Sequence, residues 1–238
     1  EGFKTAVVAN RQVYVGNVRR ALPNIGTVTQ GDAMYKSMPG KFDVFPISRK
    51  IEASIQDGDE IIKLEEYADR ILQFKKTKMH LINISQDMEF LEDTFMHKGV
   101  LTPGSVCKTD FGIAWVNELG AYFYDGRTVN NLLEKKSQKV IADWGSFVGS
   151  LPQVGYIPKE RQLIFTMSAD ATPAGDIYLF DLTTQSWMYG DSKLADTDLQ
   201  SNFVNDINGD LVYHEEAGAV YKWNGAATGT STTSLRTK

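Results

Sequence analysis

Short apolar runs rich in β-branched and aromatic residues recur along the chain, each closed by a polar turn. The clearest runs from Gly175 to Trp187. Ile177 to Phe180 reads as a strand, Asp181 ends it, Leu182 to Ser186 turns the chain, and Trp187 anchors the return strand. The same order of apolar strand, Asp or Asn, then turn appears in Ala121 to Gly126 and Ala219 to Gly225. Paired strands are predicted at Ile113–Val116 with 121–124, Leu211–His214 with 219–223, Ile71–Phe74 with Met79–Ile84, and Leu163–Met167 with 177–180. Val13–Val15 is a fifth candidate. First strands of these pairs begin at 13, 71, 113, 163 and 211, so successive gaps are 58, 42, 50 and 48 residues. A four-stranded propeller blade repeats at about 40–50 residues. The pattern predicts an all-β chain, a β-propeller of about five to seven blades, not all of which need lie in this sequence. The propeller is expected over 1–225, with 226–238 an exit strand or linker to a further domain.

Between these pairs the pattern is fainter. Phe3–Ala9 and Gln12–Val15 read as a hairpin about Asn10-Arg11. Residues 19–32 have loop character, with Pro23-Asn24, Gly26 and Gly31. Met34–Met38 is a short strand broken by Pro39-Gly40, and Asp57-Gly58 marks a turn. Over Ile61–Phe74 the apolar spacing also fits a helix, but the recurring cadence favours strand, turn at Glu66–Asp69, strand, with Ile71–Phe74 inside a blade. Residues 85–104 are expected to be loop-rich. Asn202–Ile207 and Asp210–His214 form a hairpin about a two-residue Asn208-Gly209 turn. One helix is predicted at 137–148, peripheral to the sheets, with Val140, Ile141, Trp144, Phe147 and Val148 on one stripe, Ser137 as its cap and Gly149 with Pro152 beyond its end.

Charge and composition narrow the function classes. The 238 residues carry a net charge of −5 with both signs interspersed, against a basic nucleic-acid surface. A single cysteine, Cys107, leaves no internal disulfide framework or Cys-based zinc site. No stretch approaches a membrane span, no signal-peptide h-region opens the chain, and no Met precedes Glu1, so the sequence is expected to be processed or part of something longer.

No reactive constellation stands out, and no catalytic, cofactor-binding or metal-binding residue is assigned. His80, His97 and His214 lack ligand spacing, and Cys107 reads as a small apolar filler. There is no Gly-x-Ser-x-Gly elbow, P-loop or dinucleotide fingerprint. Asp206 to Asp210 invites a calcium reading, but the Asn-Gly hairpin accounts for it. The acidic loops Asp57–Glu60 and Asp191–Asp198 read as solvated turns, and Asn83-Ile-Ser85 matches a glycosylation sequon beside a strand. Tyr122, Tyr124, Tyr178, Trp187 and Trp223 could stack on sugars, yet alternation within their strands makes them blade-to-blade packing.

Taken together, Phe3 to Asn17, Phe42 to Pro46, Ser54 to Asp59, Asp69 to Phe74, Leu119 to Gly126 and Asp176 to Trp187 resemble the β-propeller of bacteriophage tail structural proteins, in particular the nozzle or tail tubular protein of short-tailed phages. The cadence at 177–187 is also similar to Kelch repeats, without their Gly-Gly doublet. The phage resemblance implies a non-enzymatic virion component. It would be a homo-oligomeric ring, expected as a hexamer, docked to other tail and portal-adaptor proteins, with DNA passing through without sequence-specific contact. An acidic wall would let DNA slide. The alternative is a receptor- or glycan-binding propeller at a tail tip or cell surface. An enzymatic propeller such as a glycosidase ranks third, since no carboxylate pair stands out. A structural ring predicts flat mixed-charge surfaces, and a binding module predicts an aromatic-lined groove.

Overall fold

The structure is a computed structural model, and it describes residues 2–22, 24–55, 57–86, 88–134, 138–149, 151–166, 175–191, 193–194, 203–214 and 220–223. These residues build five antiparallel sheets in chain order. The first holds β1 (Gly2–Ala9), β2 (Gln12–Leu22), β3 (Gly26–Lys36) and β4 (Lys50–Ile51). The second holds β5 (Ile61–Tyr67), β6 (Arg70–Lys75), β7 (Lys78–Asn83) and β8 (Phe90–Met96). The third holds β9 (Val106–Thr109), β10 (Gly112–Asn117), β11 (Gly120–Tyr124) and β12 (Val129–Asn131). After helix α1 (Gln138–Val148) come β13 (Gln153–Ile157), β14 (Gln162–Thr166), β15 (Ile177–Asp181) and β16 (Ser186–Gly190) in the fourth. The fifth shows β17 (Val204–Asn205), β18 (Leu211–His214) and β19 (Val220–Lys222). In every sheet each strand pairs with its sequence neighbour, so each is an up-and-down meander, the blade unit. The five strands that the cadence picked out as first of a pair are β2, β6, β10, β14 and β18, the second strand of each sheet. They are legible because a strand with neighbours on both edges is largely buried and rich in apolar residues.

The polar turns follow from the Asp and Asn that end the strands. Asp181 Oδ1 accepts the amides of Thr183 and Thr184 at 2.8 and 2.9 Å, and Asp125 Oδ1 accepts those of Arg127 and Thr128 at 2.8 and 2.7 Å. Asn117 does the same for Leu119 and Gly120. Each is a side-chain turn that satisfies backbone donors where the ladder ends. Asn224, expected to repeat this, lies outside the described residues, as do 226–238. Residues Asn10-Arg11 and Ala68-Asp69 all have positive φ, as tight hairpins of primed type require.

Several expectations change. Residues 19–32 hold a hairpin, not a loop: Arg20 pairs with Val28 and Leu22 with Gly26, while Pro23 lies outside the described residues. A bulge at Gly16/Val18, with Asn17 at φ 56, shifts the alternation and hides the strand period. Residues 85–104 contain β8, whose outer position leaves most of its side chains exposed and so without a core-facing rhythm. Glu92 is the extra residue of a bulge in β8, since Leu81 faces Asp93 and Ile82 faces Leu91. The Asn208-Gly209 turn is one residue longer than expected. Asp206 N donates to Asp210 O and Gly209 takes φ 74, the three-residue form with glycine in the left-handed region.

The described residues divide into two compact units, Glu1–Pro103 and Gly104–Lys238. In the first, Ala9, Tyr14 and Met34 of the first sheet pack on Ile61, Leu64, Ile71 and Ile82 of the second. In the second, Ala114, Val116 and Ala121 of the third sheet meet Leu163, Phe165, Tyr178 and Phe180 of the fourth. The opposite face of the fourth sheet, Ile164 and Ile177, packs on Leu211 of the fifth. Strand β14 is therefore buried on both faces, as stacking sheets demand. The helix belongs to this core and not to a rim: Trp144, Phe147 and Val148 are buried among the third and fourth sheets, and Trp144 Nε1 donates to Asn117 O at 3.0 Å. Ser137 and the side chains of Val140 and Ile141 lie outside the described residues. Tyr122, Tyr124 and Tyr178 are buried and Trp187 and Trp223 packed against cores, so these aromatics are packing groups and not a sugar platform. Trp187 contacts Phe180 at 4.9 Å and Trp144 at 5.7 Å between ring centres.

Candidate functional site

Two places in the first unit gather polar or aromatic groups in an arrangement that packing alone does not require. The first lies where the loop joining β4 to β5 crosses the second sheet. Strand alternation puts Ile71 and Lys75 on the same face of β6, with Lys78 and His80 opposite on β7. Lys75 is fully buried, and its Nζ donates to Asp57 Oδ2 at 2.8 Å, Asp57 Oδ1 at 3.0 Å and Ser54 Oγ at 2.9 Å. Lys78 Nζ reaches the same Asp57 Oδ2 at 2.8 Å. Burial works to raise the Asp57 pKa. The hydrogen bonds from Lys75, Lys78, Ser54 and the Asp59 amide outweigh it and hold the carboxyl well below the usual carboxylate range.

Ser54 and His80 give this cluster the outline of a nucleophile beside a base. Ser54 Oγ is 2.6 Å from Asp57 Oδ2 and 3.1 Å from His80 Nε2, and His80 Nδ1 is 2.9 Å from Thr94 Oγ1. Proton counting settles the roles. An ionised carboxylate only accepts, so Ser54 donates its one proton to Asp57. His80 Nε2–H must then donate to Ser54, and Nδ1 accepts from the Thr94 hydroxyl. Ser54 thus has its donor and both acceptor positions filled, and His80 is a donor toward it, not a base. Burial, then the charges of Lys75 and Lys78, lower the His80 pKa to about 4 and keep the ring neutral. The cluster is a latch that pins the inter-sheet loop.

The neighbouring acids extend that latch. Asp59 accepts the amides of Lys76 and Thr77 at 2.9 and 3.0 Å and caps the β6–β7 turn. Glu60 pairs with Lys76 at 2.9 Å and Lys4 at 3.4 Å and accepts from Asn17; Lys76 and Asn17 lead in bringing its pKa down to about 2. The Asp57–Glu60 loop is therefore ion-paired and not a solvated turn. Also between segments of the first two sheets, Glu89 takes a bidentate contact from Lys36 at 2.6 and 2.7 Å and the Tyr14 hydroxyl at 2.9 Å.

The other residues singled out in sequence are not drawn together. Among the described residues no three of His, Cys, Asp and Glu converge as a metal site. Asp206 Oδ1 accepts the Asn208 and Asp210 amides, and Asp210 pairs with Lys159 and Lys222, so these carboxylates serve the hairpin. Cys107 packs against the core of the second unit. His97 is exposed after β8, and His214 lies in β18. Asn83 Oδ1 accepts from the Ser85 amide and hydroxyl, while its Nδ2 donates to Glu92. Of residues 191–198, only 191, 193 and 194 are described.

The second place is concave. The face of the first sheet turned away from the second sheet carries a groove of about 430 Å³. Phe3, Val15, Val18, Tyr35 and Phe45 wall it, and Arg19, Arg20 and Asp43 supply its polar groups. The loop after β3 adds exposed Phe42, Val44 and Ile47 beside it along the chain. Sequence reading missed both places. Lys75 on an inward position of an apolar strand was a readable signal for the latch, whereas Arg19 and Arg20 were hidden in a segment read as loop.

No protein-family model and no curated protein matches the chain. Solved structures do. The extracellular domain of a putative hybrid two-component system from B. thetaiotaomicron aligns over 95% of this chain and 26% of its own, with TM-score 0.56 and 10% identity. YCF48 bound to D1 peptide aligns over 95% of this chain and 64% of its own, with TM-score 0.55 and 9% identity. The fold is that of a β-propeller. At such identities the likeness carries the fold alone. The chain spans about a quarter of the first structure and just under two thirds of the second.

Proposed function

We propose that this chain is a non-catalytic β-propeller module that acts by holding another polypeptide at a blade surface. The observation that carries this reading is the aromatic-walled groove on the first sheet, the feature expected of a binding module and not of a plain structural ring. The latch supports it: the Ser54 hydroxyl and the His80 imidazole are committed to each other, to Asp57 and to Thr94, leaving no free nucleophile–base pair there. Two further supports come from the structural relatives. YCF48 was solved with a peptide bound, and the B. thetaiotaomicron relative is an extracellular domain. The competing reading is the phage tail ring, and none of the structures named above is a phage protein. Light scattering and an array of immobilised extended peptides separate the two. The binding reading expects a monodisperse species that selects a related set of sequences. A stable hexameric ring that retains no peptide would overturn it in favour of a tail channel.

A further inference from the structure

Resting on that reading, we infer that the groove on the first sheet is the binding site and that its ligand is an extended peptide presenting a carboxylate beside an aromatic or large aliphatic side chain. Size argues first. About 430 Å³ falls at the small end of ligand pockets. That admits one or two side chains and excludes a folded domain. The walls argue next. Phe3 is 55% exposed although it lies on a strand paired along its length, and Tyr35 and Phe45 are the other aromatic residues lining the groove. Such rings hold an apolar or aromatic side chain by dispersion and edge contacts.

The arginines decide the charge. Several cations of this unit are neutralised: Lys36 by Glu89, Arg70 by Glu92, Lys75 and Lys78 by Asp57. Arg19 and Arg20 have no hydrogen-bond or ion-pair partner among the described residues. They adjoin each other on β2, beyond the Gly16/Val18 bulge, at positions paired with Thr29 and Val28. Successive strand residues point to opposite faces, so Arg20, two positions beyond Val18, shares the face of that groove residue, and Asp43 is the one acid lining the groove on a chain whose net charge is −5. A guanidinium fork receives a carboxylate through two parallel hydrogen bonds, which makes an anion with planar geometry its natural complement.

A peptide carboxylate can come from an Asp or Glu side chain or from a chain terminus, and the test includes both. The probes are acetyl-Gly-Phe-Asp-Gly-amide, acetyl-Gly-Gly-Phe with a free C-terminus, and acetyl-Gly-Phe-Asn-Gly-amide as the neutral control. Each is titrated into the whole ¹⁵N-labelled chain while backbone amide shifts are followed. The expected result is saturable shifts at Val15, Val18, Arg20 and Tyr35 with one or both acidic probes, and binding at least about tenfold weaker for the control. Arg20→Gln should weaken the acidic probe to the level of the control, and Arg20→Lys should restore only part, because an ammonium lacks the fork. Both are surface changes, and unaltered shifts of the second unit check that they fold. Equal binding of the neutral probe, or an acidic response that survives Arg19→Gln with Arg20→Gln, would overturn the assignment. Shifts confined to another surface sink the groove and spare the binding module. Absence of shifts with all three probes, together with an empty peptide array, sinks both.

Discussion

Removing Asp57 should be one of the most damaging single changes to the first unit, although the residue sits in a loop. Asp57→Ala deletes two of the three hydrogen bonds of Lys75 Nζ, at 2.8 and 3.0 Å, and the 2.8 Å contact of Lys78. What remains is a fully buried ammonium held only by Ser54, with a second ammonium close by. Breaking a buried pair from one side costs about 3–5 kcal/mol, because the surviving charge is left without compensation. Asp57 and Lys78 each keep 15% side-chain exposure, which lets water screen part of the charge and points to the lower end, about 3 kcal/mol. For a chain of this size that corresponds to a fall in Tm of about 6–12 °C. Thermal unfolding followed by circular dichroism gives the number. The same experiment on Asp57→Ala with Lys75→Met should recover most of the loss, since the methionine fills the lysine stem's volume without a charge. A shift of less than about 2 °C for the single variant, or a double variant no more stable than the single one, would refute the reasoning.

Acid should loosen the latch before the rest of the fold. The His80 pKa falls from 6.5 to about 4 on folding, so the ring's contribution is complete above pH 6.5 and is lost as pH drops toward 4; His80→Gln should flatten the stability profile across that window, measured by urea unfolding at stepped pH. Ala68 holds φ 52 at the β5–β6 turn, where a left-handed residue with a Cβ costs about 1–2 kcal/mol, so Ala68→Asn should raise the urea midpoint and Ala68→Val should lower it. A Cβ at Gly99 would stand 2.4 Å from the carbonyl oxygens of Lys75 and Lys76, so Gly99→Ala should cost at least about 1–3 kcal/mol by the same measurement. Trp144→Ala should cost about 3–5 kcal/mol in the second unit, because the indole packs against Phe165, Trp187 and Phe147 and donates to Asn117. A helix that merely rested on the surface would lose far less.

How much of this was readable in the sequence depends on which side of a strand faces what. β6, β10 and β14 are buried along most of their length because each has a strand on both edges, and their cadence located the second strand of every blade. The Asp181 and Asp125 turns were equally plain, since a carboxylate that ends a strand has one conformational use. β8 and the outer half of the β2–β3 hairpin were not legible: their side chains are mostly exposed, and the bulges at Glu92 and Asn17 interrupt the period of two. The helix was found from Trp144, Phe147 and Val148, but its placement was not, because a one-sided stripe does not say which sheets it meets. The latch brings together Ser54, Asp57, Lys75, Lys78, His80 and Thr94 from four segments. No local pattern encodes that, although a lysine at an inward position of β6 announced that some partner must exist. The groove was beyond reach for the same reason as the hairpin that builds it.

The shape of β8 bears on how the protein behaves at high concentration. A seven-residue outermost strand bearing Phe90, Leu91 and Met96 on exposed positions has the makings of a template on which a foreign strand could grow. Its register is broken at mid-length, where Glu92 bulges out and is tethered by Arg70 and Asn83, with Asp93 next to it. An incoming strand would meet a kinked ladder and two carboxylates, so the edge resists fibre seeding despite its apolar side chains.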